Sequence, residues 1–368
     1  MSNIFQNFIT DNFAPPKRDS GNKKPRIEFI DLAKGICIIL VVMVHSDVEC
    51  HLPNFQALRM PLYFVLSGLF FRDYGGFFNL TERKINKLLT PFVFFYVLSF
   101  FLSWIGMTLF TDKGLSLSRL WDPLFSKALV NGALWFLLCL FWCNLIYYFI
   151  QRIRQNALRL CIILMLAVAG FTLSDAGCIL PLYFNSSLVA LPFFYFGVLL
   201  GATDFLFPDR HDRLTLLIAL LFISGAYFLY FIFESPVITL SFVIWRGNLI
   251  LAYVNSILMV MGALLLCKIV SWLPILSYMG RYSIIILVIH TPIVGYITYA
   301  LRIVGLADNK WIPFGLTLVV CWLLIPVFRM HLPYVTAQKD WFTFSGQGRI
   351  LPPPALNSVN TTLVLVSI

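Results

Sequence analysis

A lone histidine in a long apolar run is where chemistry could enter this chain. His45 ends the stretch Ile30-Asp31-Leu32-Ala33-Lys34-Gly35-Ile36-Cys37-Ile38-Ile39-Leu40-Val41-Val42-Met43-Val44-His45. At 100° per residue, the eleven steps from Lys34 to His45 make three turns plus about 20°, so both lie on one helix face, about 16 Å apart. An imidazole, with an unperturbed pKa near 6.5, can take a proton at neutral pH, and an ammonium can hold an anion as a point charge. Ionisable groups inside a spanning helix are costly, and they usually face a protein interior or a wet cavity where they serve function. A plainer reading makes Lys34 an end-anchor and His45 a hydrogen-bonding partner for a neighbouring helix. Asp31, one turn before Lys34, opens a third reading as a structural ion pair. Beyond His45, Glu49 stands at i+4 and could orient the ring, whereas Asp47 lies off that face.

Other residues are candidates with competing roles. His290 precedes Thr291-Pro292, where the proline frees a backbone carbonyl, so a site role and a bond within a kinked helix both stay open. Arg83, Lys84 and Lys87 form a basic cluster that could bind an anion or simply obey the positive-inside rule. Ser67-Gly68 fits close helix packing better than a nucleophile. Cys139 and Cys143, one turn apart, read as small buried thiols, and the eight cysteines show no paired metal-ligand spacing. A disulfide between Cys50 and Cys178, both in loops on one side, stays open.

The elements that must position these groups are membrane helices. Hydrophobic residues make up 60% of the 368 and charged ones 12%, where a soluble domain carries roughly 25% charged. The mean hydropathy of +0.85 agrees. Apolar windows fall at 29–48, 58–71, 88–110, 130–150, 158–174, 188–203, 214–233, 248–270, 282–303 and 312–328. The expected fold is an all-α polytopic bundle of about ten transmembrane helices, judged against a need for roughly 20 apolar residues each. The membrane domain spans 29–332, between a basic tail (1–28) and a C-terminal tail (333–368) expected to be disordered. Segment 237–244 is too short to cross and reads as a re-entrant or interfacial piece.

Loop charges place the N-terminus in the cytoplasm, since Lys17, Arg18, Lys23, Lys24 and Arg26 and the 72–87 loop are basic while 47–57 has no Lys or Arg. Topology thus accounts for most of the net charge of +10, and nucleic-acid binding is not needed. The polar N-terminal stretch lacks the apolar core of a cleavable signal, which makes the first helix an uncleaved anchor. Asn185-Ser186-Ser187 and Asn360-Thr361-Thr362 match glycosylation sequons by pattern alone.

Five motifs, in order along the chain, carry a resemblance. They are Asp31-Leu32-Ala33-Lys34-Gly35 with His45 ten intervening residues later, and Met60-Pro61-Leu62-Tyr63-Phe64-Val65-Leu66-Ser67-Gly68. Arg83-Lys84-Ile85-Asn86-Lys87-Leu88-Leu89-Thr90-Pro91, Leu134-Trp135-Phe136-Leu137 and Gly280-Arg281-Tyr282-Ser283 with His290-Thr291-Pro292 complete the set. Together they resemble the acyltransferase-3 family of membrane O-acyltransferases, in which the position of Lys34 is more often Arg. The subgroup that looks most similar comprises fucose 4-O-acetylases and surface-polysaccharide acetyltransferases.

The resemblance implies an inner-membrane enzyme that moves an acyl group, with acetyl-CoA the expected donor, to a hydroxyl of a surface glycan or its lipid-linked precursor. His45 would be the general base, and Lys34, Arg83, Lys84 and Lys87 would hold the donor phosphates. Asp31, Glu49, Trp135, Arg281 and His290 would support the site. Trp135 suits stacking on a sugar or on adenine but equally suits packing. No tightly bound cofactor or metal is expected. A non-enzymatic transporter or flippase is the competing class, although no repeat symmetry or paired broken helices favour it.

Overall fold

The computed structural model describes residue 12 and residues 27–48, 54–110, 114–203, 205–206, 212–306 and 308–343. Among these residues it is a bundle of α-helices: α1 Glu28–His45, α2 Gln56–Leu69, α3 Phe77–Lys84, α4 Thr90–Phe110, α5 Trp135–Ile150 and α6 Asn156–Asp175. Then follow α7 Phe184–Gly201, α8 Asp212–Ile232, α9 Leu249–Val270, α10 Leu276–Arg281, α11 Ser283–Ile303 and α12 Trp311–His331. Eight helical segments are long and apolar enough to cross a membrane. The chain is a multi-pass membrane protein. The first two windows also form helices, but α1 carries Glu28, Asp31 and Lys34 and α2 has only 14 residues.

Helix α1 is central and touches α2, α9, α10, α11 and α12. The apolar stretch of α5 is 78% buried and that of α8 only 17%, which sorts inner helices from those whose sides meet lipid. Two glycine crossings draw the inner helices into backbone contact. A Cβ on Gly35 would lie 2.0 Å from the Leu276 carbonyl oxygen, and one on Gly280 would lie 1.7 Å from that of Asp31. At the α2–α7 crossing, a Cβ on Gly68 would meet the Phe194 oxygen at 1.8 Å and one on Gly197 the Val65 oxygen at 1.9 Å. The Ser67-Gly68 pair therefore serves packing, as expected of small residues between membrane helices.

The segment read as re-entrant or interfacial does not cross as a helix but forms a two-stranded hairpin, β1 Val237–Thr239 and β2 Ile244–Arg246, with Ile238 opposite Trp245. Pairing satisfies backbone groups that a short apolar stretch could not satisfy as a helix. Beside it, Asn54 and Asn255 exchange two amide hydrogen bonds (2.8 and 2.7 Å), and Asn255 also donates to the Pro236 carbonyl at 2.8 Å. Both side chains are buried, so the pair pins the start of α2 to α9.

Three other expectations are revised or bounded here. Asn185 is buried and bonded to Ser174, to the Cys178 carbonyl and to the Leu180 amide, so it is a loop clamp rather than a free sequon. Cys139 and Cys143 are buried thiols. Residues 333–343 do not leave the bundle, because Val335 and Thr336 are buried. Glu49, Cys50, Asn360 and residues 344–368 lie outside the described residues.

Candidate active site

Helices α1 and α11 rise side by side from the Gly35–Gly280 crossing. Ten residues beyond each glycine, from 35 to 45 along α1 and from 280 to 290 through the α10–α11 junction, stand His45 and His290. Their rings are 5.0 Å apart and inclined by 60°. His290 is fully buried, while His45 at the end of α1 is partly exposed. His290 Nδ1 lies 2.9 Å from the Ile286 carbonyl, which can only accept, so the proton sits on Nδ1 and Nε2 keeps its lone pair. Thr291 Oγ1 is 3.4 Å from that Nε2.

Pro292 frees the carbonyl of Val288, four residues earlier. The buried Asn131 takes it up, donating from Nδ2 to the Val288 oxygen at 2.9 Å and to Ser99 Oγ at 3.0 Å. This ties the turn before α5 to α4 and α11 and sets Gly132 against His45, where a Cβ would lie 3.6 Å from Cε1. Arg59 of α2 and the exposed Asp47 are near enough for their charges to act on His45. Asn131, Gly132 and Arg59 were not evident from sequence. The signal for Asn131 was available: the carbonyl orphaned by Pro292 requires a donor from another helix.

At the other end of this face, Tyr63 of α2 donates to the Lys34 carbonyl at 3.2 Å and packs on Phe136, with ring centres 5.5 Å apart. Asp31 has a partner that helical spacing could not reveal, since Arg281 Nε lies 3.9 Å from Asp31 Oδ2 and both side chains are nearly buried. Trp135 is buried and packs near Tyr183, with ring centres 6.2 Å apart.

The basic cluster is split. Arg83 covers the Tyr74 ring at 4.8 Å, and Lys84 is partly buried beside it. Lys87 pairs with Asp340 at 2.9 Å and donates to the Ala337 carbonyl at 2.8 Å. Asn86 Oδ1 accepts from the amides of Trp341 and Phe342 at 2.7 and 2.8 Å. Arg83 and Lys84 end α3, and Asn86 and Lys87 lie in a π-helical turn, Ile85–Leu89, joining α3 to α4. The wider turn accommodates Pro91, whose ring would crowd the carbonyl four residues back in an α-helix. Cavities of about 360 and 300 Å³ open beside Trp121 and beside Trp245, and His45 lines neither.

A family model described as an acyltransferase domain, that of the acyltransferase-3 family, matches residues 27–328. The chain belongs to this family and is a membrane acyltransferase, which decides against the transporter alternative. No curated protein and no solved structure matches it significantly.

The Asp31–Arg281 pair gives a stability prediction. Arg281→Met is expected to cost about 3 kcal/mol, the lower end for breaking a buried pair because the contact is long. Adding Asp31→Asn should recover most of it. Thermal unfolding of the three variants in one detergent checks this, and a double variant as unstable as Arg281→Met would count against the pair.

Proposed function

We propose that this protein is an O-acyltransferase that carries an acetyl group from cytoplasmic acetyl-CoA to a hydroxyl of a surface glycan or its lipid-linked precursor. The observation that carries the reading is the His45–His290 pair, half-open on one side, in a chain whose family transfers acyl groups. His45 takes the proton from the acceptor hydroxyl as its oxygen attacks the thioester carbonyl. The carbon–sulfur bond then breaks, and the imidazolium returns the proton to the departing thiolate, giving ester and free CoA. His290, with its lone pair on Nε2, supports the ring of His45 from behind. The basic N-terminal tail supports a cytoplasmic N-terminus in an inner-membrane protein, an orientation that turns Lys34 and the 83–87 cluster toward the donor pool.

Acetyl transfer from labelled acetyl-CoA to candidate surface glycans by the purified chain in vesicles tests the reading. Transfer to a glycan hydroxyl is expected, and turnover with no glycan acceptor but with a different acyl acceptor would overturn it. Arg83→Ala and Lys84→Ala are each expected to raise KM for the donor about tenfold, leaving KM for the acceptor unchanged, since charge-assisted phosphate contacts contribute about 1.5–3 kcal/mol. Lys87 is the exception, because it must first leave Asp340. Lys87→Ala should therefore loosen residues 337–342, seen as faster proteolysis there.

A further inference from the structure

The segment between α4 and α5 contains a 3-10 helix, Leu117–Phe125, that is built inside out for a water-exposed loop. Its one acidic residue, Asp122, is turned inward, and Arg119 folds back onto it with its side chain 41% exposed. Arg119 bonds Asp122 at 3.0 Å and the Ala128 carbonyl at 2.9 Å, and the Tyr96 hydroxyl of α4 donates to the Arg119 carbonyl. Ser126 at its end donates to the Leu180 carbonyl at 2.7 Å and accepts from the Tyr183 amide at 2.7 Å. The element is thus held to α4 and to the turn that leads into α7, and its orientation is imposed.

Its outer surface is mostly apolar, with Ser118 the exposed polar residue. Leu117 is 69% exposed, Trp121 61%, Leu124 45% and Phe125 60%. With three residues per turn, Trp121 and Leu124 lie on one face and Leu117 and Phe125 flank it. Lipid contact of a spanning helix does not explain these residues, because the neighbouring membrane segments stop at Leu109 and resume at Gly132. Lys127 stands at the edge of the patch, 5.4 Å from the centre of the Phe125 ring. A short rigid helix at the rim of the bundle, with an outward tryptophan and a cation beside it, has the chemistry of the headgroup boundary.

We propose that Leu117–Phe125 lies in the bilayer interface on the side where His45 opens, with Trp121 and Leu124 in the acyl boundary and Lys127 among lipid phosphates. The same segment runs on to Asn131 and Gly132, which abut His45. If the acyl-transfer reading holds, a lipid-linked acceptor reaches the histidines along that leaflet without leaving the bilayer.

The test uses the full chain in vesicles of phosphatidylethanolamine and phosphatidylglycerol, with a nitroxide attached through a genetically encoded keto amino acid at position 121, 124 or, as an aqueous control, 116. At 121 and 124 the ratio of oxygen to nickel-chelate collision rates should exceed that at 116 several-fold. Ratios equal to the control, or exclusion of both reagents by a second copy or another protein, would overturn the proposal. Brominated lipids provide a label-free check, since they should quench wild-type fluorescence more than that of Trp121→Phe, and equal quenching would also overturn it. Neither measurement depends on turnover, so failure here is distinct from failure of the acyl-transfer reading.

Discussion

His45→Ala is expected to lower kcat for acyl transfer by about 10²–10⁴, the usual contribution of a positioned general base, while the protein inserts and accumulates normally. The side chain lies at the end of α1, partly exposed, and its ring meets His290 and Gly132 rather than the tightly packed middle of the helix. Little packing is lost, so the effect should fall on turnover. His45→Gln should not restore activity, because an amide cannot take the proton. His290→Ala should cost less in kcat but more in stability, since it empties a fully buried site on α11. Single-turnover rates with labelled acetyl-CoA, beside thermal unfolding, separate the two histidines. Wild-type turnover in purified His45→Ala would end the general-base assignment.

The second large effect is structural. Gly68→Val is expected to prevent α2 from seating against α7, with a loss of about 3 kcal/mol or more, beyond ordinary overpacking. The added Cβ would overlap the Phe194 carbonyl oxygen at 1.8 Å, and backbone in a helix cannot step aside as a side chain tip can. Because α2 carries Tyr63 and Arg59, activity should disappear together with the fold. Gly315→Ala is the matched control, with nothing within 4 Å of the new Cβ, and should be neutral or stabilising by about 0.5–1 kcal/mol. Yield and monodispersity after extraction report the difference, and a well-folded Gly68→Val protein would show that this crossing is more yielding than its geometry implies.

Much of this architecture was legible in the residue pattern. Apolar windows found the spanning helices because lipid requires long apolar runs, and helical periodicity placed Lys34 and His45 on one face because that needs only the 3.6-residue turn. Local chemistry also identified Gly68 as a packing residue and Pro292 as the source of an orphaned carbonyl. Segment 237–244 was legible as too short to cross, but its hairpin was not, because pairing depends on two strands meeting rather than on either one alone.

Contacts between distant segments were decided only by the tertiary structure. Spacing offered Lys34 as a neighbour of Asp31, and the bundle adds Arg281 from 250 residues further along the sequence (281 − 31). The basic cluster read as one unit, and folding divided it by giving Lys87 to Asp340. Asn131 and His290 lie in segments with no shared local signal. They come together at His45 because the glycine crossing of α1 and α10 sets the register from which both histidines are reached. Periodicity within a helix follows from backbone geometry alone, whereas register between helices follows from which side chains are small enough to let two backbones touch.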